Sequence, residues 1–429
     1  MKTEILIIGG GAAGLMAGYK LVKAGYKVTV LEARNRLGGR IHTIHNDGSS
    51  ERAELGAEFI HGDLPVTKRL LDEAGIKYYK SGFEMWQYKG GRFTQNEEFV
   101  KGWGEFLEKL DELQEDMTMH DFLQKYFPGE ANAELRKRVE NYIAGYDTAN
   151  PRDASAFALR EEWNNEDDDA QQLIEGGYGA MVDYLAAEIG NTGNEIVLNA
   201  TVTNIEWKQG SVKVSTAENT AYEADKAVIA LPLGVLQSGT IKFQPDLPHS
   251  NAINDIGFGW LIKILLDFDE VFWENNGVTH HSGKEPVTRF FFTSQAVPTF
   301  WSQAGSKQLT GWLGGLPANQ RKNSPDEEIL QLTLDSLSKV YGISSAELKN
   351  KLTAWHVANW TSDPYTLGSY SYNKLESSKA RKTLLKPVDD TVYFAGEYLY
   401  DGPAIGTVEA ALTSGKDVAE KIADAFNQK

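Results

Sequence analysis

Gly9, Gly11 and Gly14 stand between an apolar run, Ile5-Leu6-Ile7-Ile8, and a helix-forming stretch from Leu15 to Ala24. This spacing, G-x-G-x-x-G at a strand-to-helix turn, constrains the fold more than any other feature of the chain. Four consecutive large aliphatic residues predict a strand buried on both faces. Gly9 permits the tight turn, and Gly11 lets the backbone approach a pyrophosphate closely. Gly14, next to the small Ala13, lets the helix sit against the strand. The helix N-terminus then offers free N–H donors and the positive end of its dipole to phosphate. Gly25 ends the helix, Lys27-Val28-Thr29-Val30-Leu31 reads as a second strand, and Glu32 closes it, 18 residues after Gly14. Glu32 is placed to accept hydrogen bonds from a ribose, and its charge opposes a 2′-phosphate. A lone glycine motif is weak, but strand, helix, second strand and acid in order point to dinucleotide binding. This unit leaves FAD and NAD both open.

The rest of the composition narrows the class. A chain of 429 residues allows about three domains, or two large ones. The formal charge of −17 argues against a nucleic-acid binder, which needs a basic footprint. The absence of cysteine excludes disulfides, thiolate metal sites and a flavin linked through cysteinyl sulfur. No run of about 18 apolar residues and no secretory leader pattern is seen, so no membrane partner is expected and a cytoplasmic location is the default. No metal site is expected: His280-His281 lacks a carboxylate at ligand spacing and reads as a loop. The acidic run from Glu161 to Asp169 reads as a solvated face.

Directly after Glu32 comes Ala33-Arg34-Asn35-Arg36-Leu37-Gly38-Gly39-Arg40. Two glycines between arginines suggest a second backbone approach to the same phosphates, with guanidinium charge nearby. Here the sequence resembles the flavin amine oxidase family, which includes monoamine and polyamine oxidases. The resemblance assigns Glu32, Ala33, Arg34, Gly39 and Arg40 to an FAD site. It reaches nearly the whole chain. Gly56-Ala57-Glu58-Phe59-Ile60-His61-Gly62 resembles the segment that passes the flavin ring in polyamine-oxidase-like members. Gly176-Gly177-Tyr178 resembles a helix start of the family, and Val202 lies on the strand whose backbone contacts the adenine side. Gly259-Trp260-Leu261-Ile262-Lys263 resembles the lysine strand. Trp360 and the stretch Asp363 to Tyr370 resemble the segment beneath the flavin. Gly396-Glu397 and Gly406-Thr407-Val408 resemble the closing FAD motif.

The fold expected from this is α/β, a Rossmann-type FAD-binding domain with a mixed α+β substrate domain. Residues 1–80, 171–245 and 386–429 would form the discontinuous FAD-binding domain. Residues 81–170, mostly helical, and 246–385 would form the substrate domain, with a helix from Asp326 to Tyr341.

Lys263 sits inside an apolar strand. By itself it reads as an edge-strand lysine pointing outward. The resemblance places it instead at a water against flavin N5, where burial disfavours the ammonium and the side chain can assist dioxygen. Trp360 and Tyr370 would wall the flavin, although aromatics are more often core. The opposite wall should fall near Gly402 to Ile405, where no ring stands. Ser369 occupies the place of the flavin-linking cysteine of covalent members, so FAD should be held non-covalently. A histidine such as His61 is usually a satisfied polar group, yet polyamine oxidases carry one near the substrate's charged nitrogen. Glu58-Phe59 stands where amino-acid oxidases of this fold hold a carboxylate-binding arginine, which tilts the substrate toward amines without a carboxylate. The expected activity is FAD-dependent oxidation of a small-molecule amine, with O2 as acceptor, by a monomer or homodimer. An L-amino-acid oxidase and a flavin-dependent desaturase or dehydrogenase are the alternatives.

Overall fold

The computed structural model describes residues 3–45, 52–95, 100–164, 171–248, 250–274 and 286–427. His280, His281 and the 165–169 part of the acidic run lie outside these residues.

The first strand, Glu4–Ile8, is the centre of a five-stranded parallel sheet. Lys27–Leu31 and then Glu195–Val197 flank it on one side, and Lys226–Ile229 and then Val392–Phe394 on the other. Alternation along the strand decides what covers each face. Ile5 and Ile7 pack with the helices Ala12–Lys23, Tyr178–Gly190 and Val408–Asn427. Leu6 and Ile8 pack on the opposite face against Val202, Ile205, Val212 and Val214. These belong to a four-stranded sheet built from Val202–Lys208, Ser211–Thr216, Ala221–Ala224 and Lys242–Gln244. Helices cover one face and this second sheet the other, and each fully buried Ile, Leu or Val contributes about 1.5–3 kcal/mol. The first helix ends where glycine was expected to end it, at Gly25, with φ of 90°.

A seven-stranded sheet carries the second half of the site. Its order is Leu352–Asn359, Leu261–Phe268, Gln308–Gly314, Thr299–Gln303, Val287–Phe292, Gly82–Lys89 and Arg92–Thr94. One face, with Ile262, Ile264, Leu266, Phe291 and Phe300, packs on Ile329, Leu330, Leu334 and Leu337 of the helix Asp326–Tyr341. Lys263 and Leu265 alternate to the other face, where Leu265 meets Ala53 and Leu55. The strand Leu261–Phe268 lies between two others, so the edge reading of Lys263 fails. Residues 82–94 are also strands rather than part of a helical region. They are recruited by parallel pairing with Val287–Phe292, some 200 residues away, which nothing local announces. Helices do fill the following stretch, with Trp103–Asp111, Met119–Tyr126, Ala133–Tyr142 and Ala156–Asn164 around a core of their own.

Candidate active site

The glycine loop lies at the carboxyl end of the parallel sheet, where open α/β sheets bind ligands. Its three glycines differ in what requires them. A β-carbon on Gly9, whose φ is 109°, would lie 2.6 Å from the Ala230 carbonyl oxygen, and one on Gly14 would lie 2.0 Å from the Gly9 carbonyl oxygen. A β-carbon on Gly11 would meet nothing nearer than the Gly38 carbonyl oxygen at 3.9 Å. The protein's own packing therefore demands Gly9 and Gly14 and leaves room at Gly11, as a cradle for a bound group does. The helix that starts there has no side-chain cap and no acidic residue in its first turn, so its terminal N–H groups suit an anion. Ala13, the second residue of that helix, packs under Gly415 of the C-terminal helix.

The second glycine pair closes on the first loop. The Gly38 N–H donates to the Gly10 carbonyl at 2.9 Å, and a β-carbon on Gly39 would lie 3.4 Å from the Gly11 Cα. Glu32 ties the pieces together: its buried carboxylate accepts from the backbone N–H of Gly10 at 2.7 Å and of Arg34 at 2.9 Å. Backbone bonds from Asn199 to Arg34 and from Ala200 to Glu32 bring the buried Val202 segment alongside Ala33. The guanidinium groups are differently engaged from the expectation of free charge near phosphates. Arg34 pairs with Asp363 and reaches Thr366 at 3.1 Å. Arg36 donates to the carbonyls of Leu37, Gly39 and Ile41, and burial pushes it down to about 10. Arg40 donates to the Ser369 carbonyl at 2.7 Å and to Glu397 at 2.8 Å. Arg34 and Arg40 clamp the cradle's shape by holding the 363–369 stretch and Glu397 to it, and Arg36 braces the glycine turn itself. Glu397 is further satisfied by the Ser371 hydroxyl at 2.6 Å, and the adjacent Gly396 N–H donates to Ser414 at 3.0 Å. At the last helix Thr407 accepts from the Ala410 N–H at 3.3 Å, a helix cap, ahead of the half-buried Val408.

The segment Gly56-Ala57-Glu58-Phe59 joins this cradle to the large sheet. A β-carbon on Gly56 would lie 1.8 Å from the Arg40 carbonyl oxygen, and the Ala57 N–H donates to that same oxygen at 3.2 Å. Lys263, 1 % exposed, donates to the Gly56 carbonyl at 3.1 Å and to the Glu58 carboxylate at 2.8 Å. The buried ammonium thus has a counter-ion, which the sequence reading did not supply. Trp360, 5 % exposed, donates its indole N–H to the Leu55 carbonyl at 2.8 Å and buttresses the same segment from behind.

Sequence reasoning missed Trp301, Trp312 and Phe290. Trp301 donates to both Glu58 oxygens at 3.2 Å, and its ring lies 5.2 Å from the Lys263 Nζ. Trp312 is the register partner of Lys263, and Phe290 that of Trp301. Phe59 packs 5.8 Å from His61, 5.9 Å from Phe290 and 6.1 Å from Trp301, so these rings form a cluster beside the Lys263–Glu58 pair. His61 follows on the short strand Ile60–His61 and is exposed, and the protein around it shifts its imidazole downward. The signal that could have found Trp301 and Phe290 is the alternation of their strands, but only once their register with the lysine strand is known.

Tyr370 stands across the site. Its hydroxyl donates to the Tyr146 carbonyl, burial raises its pKa, and a β-carbon on Gly406 would lie 2.9 Å from its ring. Tyr146 belongs to a single wide helical turn, Ile143–Asp147, whose Gly145 carbonyl accepts from the Trp312 indole at 2.6 Å. Such turns recur at functional sites. The Ser369 hydroxyl bonds Thr148 at 2.6 Å. In the 402–405 segment, where a second wall was sought, the Tyr400 ring lies against Gly402. Among the described residues no group of three or more His, Asp or Glu forms a metal site, and no helix is long and apolar enough to cross a membrane.

The chain as a whole is similar to known proteins. Polyamine oxidase 4 of Oryza sativa subsp. japonica is 29 % identical over 455 aligned residues, covering 97 % of this chain and 88 % of that protein. Wild-type putrescine oxidase bound to putrescine shares the fold, with a TM-score of 0.79 at 22 % identity over 99 % of both chains. Cyclohexylamine oxidase from Brevibacterium oxydans IH-35A matches over the full length of both chains, with a TM-score of 0.80 at 20 % identity. Residues 12–423 match the family described as flavin containing amine oxidoreductase, to which this chain belongs, as an FAD-dependent enzyme.

Proposed function

We propose that this protein oxidises an amine that lacks an α-carboxylate, a monoamine or polyamine, using non-covalently held FAD and dioxygen. The observation that carries the reading is the cluster of aromatic rings, Phe59, His61, Phe290 and Trp301, beside the Lys263–Glu58 pair. Aromatic faces next to a carboxylate suit the nitrogen of an amine. A substrate carboxylate would need a free guanidinium. Arg34, Arg36 and Arg40, the arginines of the cradle, are all engaged by the protein itself. The activities named for the polyamine, putrescine and cyclohexylamine oxidases support the same substrate class.

FAD would be held by Gly9, Gly11, Gly14, Glu32, Gly38 and Gly39 at its phosphates and ribose, and by the Gly56–Phe59, Gly396–Glu397 and Gly406–Val408 segments nearer the ring. When bound, it supplies the acceptor for the hydride of the amine's α C–H at N5 and is restored by O2. The net reaction of a primary amine is RCH2NH2 + O2 + H2O giving RCHO, NH3 and H2O2. The chain's own part is to position and to exclude water. The rings of Phe59, Phe290, Trp301 and Tyr370 set the substrate's approach and keep it dry. His61, on the same segment as Phe59, would accept a hydrogen bond from the amine N–H through an unprotonated ring nitrogen. Lys263, held at the Gly56 edge, presents a fixed positive charge where negative charge develops as oxygen is reduced. The net charge of −17 favours approach of cationic amines over a long range.

The test is aerobic turnover with matched pairs, each amine beside the α-amino acid that differs by a carboxylate, with peroxide and aldehyde quantified together. Peroxide and aldehyde formed in equal amounts from the amines and not from their amino-acid partners is the expected result. The reverse preference overturns the substrate reading.

A further inference from the structure

Lys263 occupies a costly position for a charge. It lies in the interior of a sheet, 1 % exposed, between the uncharged register partners Trp312 and Ala358. An ammonium desolvated in this way needs a counter-charge to persist. Two carboxylates face it. Glu54, on the strand Arg52–Glu54, is engaged elsewhere: it accepts from the Thr43 hydroxyl and the Tyr178 N–H, both at 2.9 Å. Glu58 touches the ammonium directly at 2.8 Å.

Glu58 is itself held. Both its oxygens lie 3.2 Å from the Trp301 indole nitrogen, and the same indole ring stacks against the ammonium at 5.2 Å. The backbone that carries Glu58 is pinned at Gly56 and Ala57 against Arg40. Its side chain is 17 % exposed against 1 % for Lys263, so the carboxylate is the accessible member of the pair. Lysine, carboxylate and indole make a closed triangle, each contact supporting the other two.

We propose that Glu58 is a positioning residue: through its bond to Lys263 it holds that ammonium aimed along the Gly56 edge. The inference deepens the amine-oxidase reading and rests on it. Its consequence is that the charge presented toward oxygen is set by a glutamate three-cornered with a tryptophan, and not by the lysine's burial. Loss of an opposite charge at this distance shifts a titration by about 1–3 pH units.

The test needs no amine. The visible bands of the bound flavin are recorded from about pH 6 to about pH 10, and the reoxidation rate of photoreduced flavin is followed over the same range. A mistaken substrate class leaves both readouts intact. With Glu58→Gln, the lysine-dependent transition moves down by about 1–3 pH units in both. Glu58→Asp restores the parent profile, and Glu58→Gln combined with Lys263→Met abolishes the transition. If Glu58→Gln does not fold, Trp301→Phe takes its place, with a smaller shift in the same direction. Spectra and rates that superimpose on those of the parent at every pH overturn the proposal.

Discussion

At Gly14 a β-carbon would stand 2.0 Å from a backbone oxygen, and at Gly11 it would meet only the Gly38 carbonyl oxygen, at 3.9 Å. One motif therefore contains two kinds of glycine, one that the fold's own packing demands and one that it does not. Gly14→Ala should cost at least about 3 kcal/mol, because backbone must move. Gly11→Ala should change the stability of the cofactor-free protein by about 1 kcal/mol or less, while the FAD retained on purification falls sharply. Thermal melts of the apo-proteins beside flavin-to-protein absorbance ratios check both; equal melting losses at the two positions would contradict the distinction. Lys263 makes the corresponding case on the sheet side. Lys263→Met removes the ammonium held at the Gly56 carbonyl, and reoxidation of photoreduced flavin should slow by about 10²-fold. An unchanged rate would remove its oxygen role. The glycines were legible in the sequence because strand, turn and helix are local. The Lys263–Glu58–Trp301 triangle was not, because its members are 205 and 243 residues apart and meet only through sheet register.

Among elements, the helix Tyr178–Gly190 shows how a site-adjacent carboxylate can serve the fold. Its N-terminus is capped from outside, by Glu54 on the Tyr178 N–H and by Thr43 on the Gly179 N–H at 2.8 Å. Desolvation pushes the Glu54 carboxyl up to about 7, against its usual 4.5, with Thr43 and the charge of Lys263 opposing the rise. The folded state thus binds this proton more tightly than the unfolded chain. Stability from this group is full below about pH 4.5 and is lost as pH rises through about 7. Glu54→Gln should gain on the parent by up to about 3 kcal/mol between these limits, measured by chemical denaturation at a series of pH values. A pH-independent difference would contradict the assignment. The helix start itself was visible in Gly176-Gly177-Tyr178; its cap was not, because Glu54 lies 124 residues earlier. The strands of residues 82–94 were missed for the same reason. Their apolar and polar residues alternate acceptably, but only pairing with Val287–Phe292 makes them strands.

On the scale of the molecule, two sheets divide the work. The parallel sheet, with helices on one face and a four-stranded sheet on the other, fixes the glycine cradle at its carboxyl edge. The seven-stranded sheet turns an apolar face to its own helix and a face bearing Lys263, Trp301, Trp312 and Phe290 to the cradle. The segment from Leu55 to Phe59 joins the two, with Arg34 and Arg40 as clamps. The α/β character and the cofactor cradle could be read from patterns along the chain. The aromatic cluster depends on how the two sheets face each other, which no local pattern encodes. The central claim is that an amine reduces the flavin held between these sheets. It is tested most directly without oxygen, by mixing the FAD-loaded protein with monoamines, diamines, polyamines and α-amino acids and following the flavin visible band. Rapid bleaching by amines that lack an α-carboxylate is the predicted result. A band that no amine bleaches, or that only α-amino acids bleach, would contradict the account.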